Sequence, residues 1–444
     1  MTYDALIVGA GAAGMAAALS LAGRGHSCAI VDREGFMGGI LPQCIHSGFG
    51  LHLFGEELTG PEFAARLETE VALAGIPTFL NTTVLSIERP DPARGSDDPR
   101  GSDTRGAFRA LLSSSIDGVR RVECRSVVLA MGSRERNRGN IRIAGDRPAG
   151  IFTAGLAQRL INVDGYLPGK RAVIIGSGDI GLIMARRLSL SGAKVEAVVE
   201  IARYPSGLAR NIAQCLDDFG IPLYLSHATL RIVGKDRVTG VEVAPLVNGA
   251  PNVDRAFTIP CDTVLLSVGL IPENELSSRM GVPLNPATNG ASVDSRLMTA
   301  VPGVFACGNA LHIHDLVDRV VGEATRAGSF CADWLERSRG KTAGERGSGE
   351  QVLGEISVRA GKNVRYTVPS SLDRARAQTL STRSMVPMDH GNFCLRDGES
   401  VVFEKKLSWV RPGEMIFAEI PEGALGALRT DAALEASIDP EETA

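Results

Sequence analysis

Residues 4–34 read DALIVGAGAAGMAAALSLAGRGHSCAIVDRE, and the order of their parts decides the fold. Ala5 to Val8 is a short apolar run of the kind a buried parallel strand needs. Gly9, Gly11 and Gly14 follow at G-x-G-x-x-G spacing, before an Ala-rich stretch that reads as a helix. Such glycines serve a tight turn, close backbone approach to a pyrophosphate, and close helix–strand packing. The helix N-terminus then offers unpaired N–H groups and the positive end of its dipole to phosphates. A second apolar run, Cys28 to Val31, ends in Asp32, placed to accept hydrogen bonds from a ribose diol. Strand, triplet, helix, strand and acid in this order specify a dinucleotide cradle, which a bare glycine triplet would not.

The same unit recurs at 170–200, KRAVIIGSGDIGLIMARRLSLSGAKVEAVVE. Ala172 to Ile175 is the strand, Gly176, Gly178 and Gly181 the cradle, and Val195 to Val199 the next strand, closed by Glu200. One chain therefore carries two dinucleotide sites. A carboxylate at 200 repels a 2′-phosphate and accepts from a free 2′-hydroxyl, which favours NAD(H) over NADP(H). Arg203, three residues on, is the residue that argues the other way.

The 444 residues leave room for two or three domains, since single cores stop growing at about 250–300 residues. No run of 18 apolar residues is present, the start lacks the pattern of a secretory signal, and a cytoplasmic protein is expected. A net charge of −4 with scattered basic residues gives no nucleic-acid or anionic-membrane surface. The eight cysteines are widely spaced with no C-x-x-C, which fits reduced thiols and argues against an iron–sulfur cluster or structural zinc.

With both cradles placed, the sequence resembles the two-dinucleotide flavoprotein superfamily of thioredoxin reductase and other pyridine nucleotide-disulfide oxidoreductases, over roughly residues 1–338. VVLAMGSRE (127–135) looks like the family's crossover into the nucleotide domain, with Ala130 and Gly132 at the matching positions. DTVLLSVGLIPEN (262–274) resembles the return crossover, with Gly269. TAVPGVFACGNA (299–310) resembles the second flavin motif, with Gly308 in place but Asn309 where the family has an acid on the ribityl chain. An amide still donates and accepts there. The resemblance implies FAD on the first cradle, with Gly39 and Val84 among its contacts, and a nicotinamide dinucleotide on the second. It also implies that the helix around VVGEATRAG (320–328) points its N-terminus at the flavin.

A closer likeness lies in GGILPQCIHSGFGLHLFGEELTGPEF (38–63), CGNALHIHDLVD (307–318) and the tail segments VRYTVPSS and VRPGEMI. These resemble FAD/NAD-dependent dehydrogenases that accompany a glycerol-3-phosphate dehydrogenase-like flavoprotein, and more distantly the alpha subunits of sarcosine and opine oxidases. A partner dehydrogenase subunit and a homo- or hetero-oligomer are implied.

Disulfide reductases of the superfamily carry two thiols after the Gly-Gly pair. Counting from Gly38, those positions hold Leu41 and His46, so the chain lacks that dithiol. Cys44 is open to two readings. It is either a lone redox thiol, as in NADH peroxidases, oxidases or low-molecular-weight disulfide reductases, or a small buried residue packed near the flavin. His46, His52, His312 and His314 fall in the two segments that the resemblance brings to the isoalloxazine. His46 is a candidate there, and His314 with Asp315 reads as a general acid/base pair whose carboxylate fixes the imidazole. LHIHD supplies no evident third ligand, so no metal is expected.

Residues 89–107 are turn-rich and nearly repeat RGSD, which reads as a disordered hairpin tip. The expected organisation is an α/β chain of two Rossmann-like three-layer domains, glutathione/thioredoxin reductase-like, plus a small all-β module. The FAD domain takes 1–147 and 269–338, the NAD domain is inserted at 148–268, a linker spans 339–351, and the β module with a polar tail fills 352–444. Asp397-Gly398 marks a hairpin in that module, which reads as a docking or packing surface.

Overall fold

The computed structural model describes residues 1–89, 107–338, 354–429 and 432–441. The expected hairpin tip (but for its end residues 89 and 107) and the linker lie outside them. Along the chain, β1 (Thr2–Val8), α1 (Ala12–Gly23) and β2 (Cys28–Val31) form the first unit of the opening motif. The long strand β3 (Gly118–Leu129) precedes its repeat, made of β4 (Arg171–Ile175), α2 (Asp179–Leu190) and β5 (Lys194–Val199), followed by β6 (Thr263–Leu266). Then come β7 (Val304–Ala306) and the long helix α3 (Val317–Arg337).

The chain divides into two compact units, one of residues 1–133 and 272–444 and the other of Arg134–Ile271. The sequence reading placed the insertion at 148–268. That span lies within the second of these units.

In the first unit, β2, β1 and β3 pair in parallel, and β7 joins the C-terminal half of β3, also in parallel. Val304↔Val127 and Ala306↔Leu129 set that register. Ala5 to Val8 of β1, Val127 to Leu129 of β3, and all of β2 and β7 are buried apolar runs because helices cover the sheet: α1 packs on α3, and Leu6, Ile7, Met15, Leu129, Phe305 and Cys331 lie at 0–1% exposure. Parallel strands that end side by side put the loops after β1 and β7 at one edge, where ligands of such sheets bind.

The second unit repeats the plan with five parallel strands in the order Ile151–Thr153, β6, β4, β5, Leu223–Tyr224. A separate, mostly antiparallel sheet, including His227–Gly234 and Val238–Val247, shares a core with it through Val173, Val199, Ile232, Val241 and Leu266.

The C-terminal residues form a five-stranded sheet with a two-stranded ribbon, β8 (Gln378–Arg383) and β9 (Met415–Ile420). The hairpin at Asp397-Gly398 is present, with Asp397 opposite Ser400. One expectation fails here. Residues 433–440 are not a polar tail but a strand, held between Glu355–Ala360 and Met388–Asp397. Leu434, Ala436 and Ile438 alternate into the core at 0% exposure, so period-two burial overrides the poor strand propensity of an Ala-, Ser- and Glu-rich segment.

Candidate functional site

In the first cradle Gly9 donates to Val31 O at 2.8 Å, closing the turn after β1. A Cβ on Gly9 would lie 2.3 Å from Ala130 O, and one on Gly14 would lie 1.7 Å from Gly9 O. Only hydrogen fits at these two points. The 35–39 loop folds over the turn, with Gly38 donating to Ala10 O at 2.9 Å, and a Cβ on Gly39 would meet Gly11 Cα at 3.1 Å. Gly11 caps α1 without a side-chain hydrogen bond, so the first-turn N–H groups remain available. Asp32 does more than the sequence suggested: its Oδ2 accepts from Ala10 N–H at 2.6 Å and its Oδ1 from Glu34 N–H at 2.9 Å. It braces the cradle and stays partly exposed at its edge. Val84 lies in strand Thr82–Glu88 opposite Leu112, two residues beyond Thr82, whose N–H bonds Asp32 O.

The second cradle is built alike. Gly176 donates to Val199 O at 2.8 Å, and a Cβ there would lie 2.1 Å from Ser267 O. A Cβ on Gly181 would come within 2.6 Å of Ser267 Cβ. Gly178 caps α2 with no side chain of its own, and in the first turn Gly181 N–H donates to Ser267 Oγ at 3.1 Å. Glu200 takes the place of Asp32, accepting from Ser177 N–H at 2.9 Å, Ser177 Oγ at 2.6 Å, Ala202 N–H at 2.9 Å and Ser206 Oγ at 3.2 Å. With four donors and 5% exposure this carboxylate is a saturated brace, leaving little capacity for a ribose diol. Arg203 is exposed. Gly269 has φ +97° and accepts from Arg136 N–H at 2.9 Å, while Gly132, at φ +71°, accepts from Glu273 N–H at 3.0 Å.

Both cradles fit a dinucleotide: two hydrogen-only contacts, a glycine at the helix start, and an acid fixing the N–H of the residue after the first glycine. These three features recur together at Gly9/Gly14 with Asp32 and at Gly176/Gly181 with Glu200.

The turn after β7 is anchored by a carboxylate that sequence reasoning missed. Glu323, on α3 and 3% exposed, accepts from Gly308 N–H at 2.8 Å and contacts His312 Nε2 at 2.7 Å and His314 Nε2 at 3.1 Å. Burial alone would push its pKa up, but the two imidazoles and their hydrogen bonds hold it well below the usual carboxylate range. Burial conversely pushes the pKa of His312 down, against the pull of Glu323. Because a carboxylate only accepts, each ring presents Nε2–H to it. Asn309 Oδ1 accepts from His314 N–H at 3.0 Å, so the amide oxygen that could have met a ribityl hydroxyl braces this turn.

The pairing expected between His314 and Asp315 is corrected. The partner of His314 is Glu323, whereas Asp315 binds Arg383 of β8 and Met415 N–H of β9. Successive residues of this non-helical segment point apart, so one faces α3 and the other the β ribbon. Glu323 also supplies the third ligand type the LHIHD run lacked: ligand atoms of His312, His314 and Glu323 lie within 4.8 Å of one another. At 2.7 and 3.1 Å the two imidazoles are hydrogen-bonded to this carboxylate.

Asp318 joins this segment to the 35–52 stretch by accepting from Gly50, His52 and Leu53 N–H at 3.2, 3.0 and 2.8 Å. His46 stays outside the cluster, with Nδ1 3.0 Å from Ser47 O and its ring 5.0 Å from Phe49. Cys44 is buried, with Sγ directed to Ile40 O at 3.4 Å, and its carbonyl accepts from Gly60 N–H. All eight cysteines are buried, and none forms a disulfide. One signal for Glu323 and Asp318 was in the sequence: each is an acid within the otherwise apolar stripe of α3 that includes Val321, Ala324, Ala327 and Cys331.

The family model described as "Pyridine nucleotide-disulphide oxidoreductase" matches residues 3–328. Its members use FAD and NAD(P)H. An opine oxidase subunit from Agrobacterium tumefaciens is 28% identical over 64% of this chain and 55% of its own length. Hydrogen cyanide synthase subunit HcnB of Pseudomonas aeruginosa is 26% identical over 75% of the chain and 70% of its own. The chain thus spans about half the length of the first of these relatives. Among solved structures, thioredoxin reductase of T. acidophilum superposes with a TM-score of 0.58 at 25% identity, over 76% of this chain and 98% of that one.

Proposed function

The chain belongs to the pyridine nucleotide-disulphide oxidoreductase family, and from this premise we propose that it is an FAD-dependent oxidoreductase exchanging a hydride with NAD(H). The flavin electrons then pass to or from a partner dehydrogenase subunit or a small acceptor, without a redox dithiol. The observation that carries this reading is the duplicated cradle: two sites of the same construction, each in its own compact unit.

FAD, when bound, supplies a two-electron carrier that the side chains cannot provide. The chain's own work is positional. Asp32 and Glu200 fix the turns that receive the pyrophosphates, and the glycine-started helices α1 and α2 turn their N-termini to them. Glu323 holds the Gly308–Asn309 turn, and Asp318 ties the 50–53 backbone to α3. Hydride transfer between two held rings needs distance and alignment but no side-chain acid, so the reaction does not require a dithiol. Partner transfer is supported by the identity of two relatives as subunits, one of opine oxidase and one of hydrogen cyanide synthase.

Anaerobic stopped-flow reduction of the bound flavin tests the proposal. NADH is expected to reduce it faster than NADPH, and Cys44→Ser to keep the NADH rate within about twofold, because the burial of Cys44 against Ile40 suits packing. A flavin that ignores both coenzymes would reject the reading, while loss of turnover only in C44S would favour a single-cysteine peroxidase or disulfide reductase. Turnover alone and with a co-purified partner separates a free-standing enzyme from an electron-transfer component.

A further inference from the structure

A cavity of about 490 Å3 opens on the far side of Glu323, among α3, the turn before β7 and the β8/β9 ribbon. No cradle glycine, nor Asp32 or Glu200, lines it. Leu297, Phe330, Val368 and Ile420 give it apolar walls, and Gln378, Thr379 and Ser381 add polar groups. Its volume is that of a small-molecule site.

The cation on this wall is Arg326, which makes no hydrogen bond or ion pair to any described residue. The acids nearby are engaged elsewhere. Glu323 accepts from Gly308, His312 and His314, and Glu419 lies 3.9 Å from Arg319, whose guanidinium sits over Phe417. Arg326 is exposed at the cavity mouth, where the protein packed around it lowers its pKa and the Glu323 and Glu419 carboxylates offset this in part without bonding it. Such a group gains most from an anion that forms charge-assisted hydrogen bonds with it.

We propose that this cavity binds a small monocarboxylate with an apolar body, its carboxylate on Arg326 and its body against Leu297, Phe330 and Val368. A phosphate dianion suits the site less, because Glu323 and Glu419 on the same wall repel each added charge while Arg326 supplies a single positive one. The bound ligand would touch the carboxylate that anchors the Gly308 turn, which couples the cavity to the turn preceding α3.

The inference is independent of hydride transfer, so its test uses binding alone. Isothermal titration of the full-length protein with benzoate and hexanoate, and with benzamide and hexanamide as neutral isosteres, at constant ionic strength, should show the acids binding at least about tenfold tighter than the amides. Arg326→Met should remove that difference, Arg326→Lys should keep part of it, and Arg319→Met should leave it intact. Equal binding of acid and amide, no binding by either acid, or an unchanged preference in R326M would overturn the proposal. The wild-type comparison stands even if R326M fails to fold.

Discussion

At the scale of single residues, Glu323 carries the most specific consequence. Three buried N–H donors, from Gly308, His312 and His314, converge on one carboxylate. Glu323→Ala strips the acceptor from all three, and each buried donor left unsatisfied costs about 1–3 kcal/mol, so a loss of about 3 kcal/mol or more is expected. Glu323→Gln should fall between, because its oxygen can still serve Gly308 while its NH2 group opposes one imidazole N–H. Denaturant unfolding followed by flavin fluorescence would check this, together with the rate of flavin release, which should rise in the same order. Wild-type stability and flavin retention in E323A would mean that the turn is held by something else. The cradle residues Gly9, Gly14, Gly176, Gly181, Asp32 and Glu200 were legible because their chemistry is local: turn, helix start and acid lie close together in sequence. Glu323 and Asp318 showed in the sequence only as acids within an apolar stripe, and their partners did not, because these depend on how a 21-residue helix docks against loops, which for Asp318 are those of Gly50, His52 and Leu53 at the other end of the first unit's sequence. The same limit misdirected the reading of Asp315, whose Arg383 partner lies 68 residues on.

Among the elements, the turn before β7 stores a pH dependence. Asp294 Oδ1 accepts from Arg296 and Met298 N–H, both at 2.9 Å, while burial and then the Glu355 carboxylate push its pKa up to about 6. Its folded value thus lies above the unfolded value of about 3.9, so the folded state holds the proton more tightly. The associated stability is complete below about pH 4 and is lost as pH rises through about 6. Asp294→Asn keeps both bonds through its amide oxygen and never ionises. It should therefore stabilise the chain by about 1–3 kcal/mol at about pH 7.5 and by about half as much at about pH 5. Urea unfolding at the two pH values decides the matter, and an equal effect at both would show that charge is not the cause. The elements themselves were read from sequence with unequal success. Short apolar runs ending at a glycine or an acid gave β1, β2, β4 and β5 directly. The strand at 433–440 escaped, because ALEASIDP carries its alternation on Ala and Ser as much as on Leu and Ile, and its burial comes from the neighbouring strands 355–360 and 388–397.

For the whole molecule, two cradles of one design in two separately packed units make an asymmetric prediction. A Cβ added at Gly9 would stand 2.3 Å from Ala130 O, and one at Gly176 would stand 2.1 Å from Ser267 O. Both backbones have positive φ, +111° and +90°, so Gly9→Ala and Gly176→Ala suffer comparable strain. Their consequences should nevertheless differ. Each unit keeps its own core, one around Leu6, Met15 and Phe305 and the other around Ile174, Leu182 and Leu265. Damage to one turn should stay within its unit. G176A is then expected to purify yellow, to retain a flavin reducible by dithionite, and to lose NADH-driven reduction by about 100-fold or more, the loss that a displaced reactant brings. G9A should purify with little or no flavin while unit Arg134–Ile271 still binds NADH, measurable by quenching or calorimetry. This pair tests the assignment of the two cradles more sharply than any activity assay, since a reversed assignment exchanges the two phenotypes. A chain that loses both ligands in either variant would show that the two sites are coupled through something other than their separate folds.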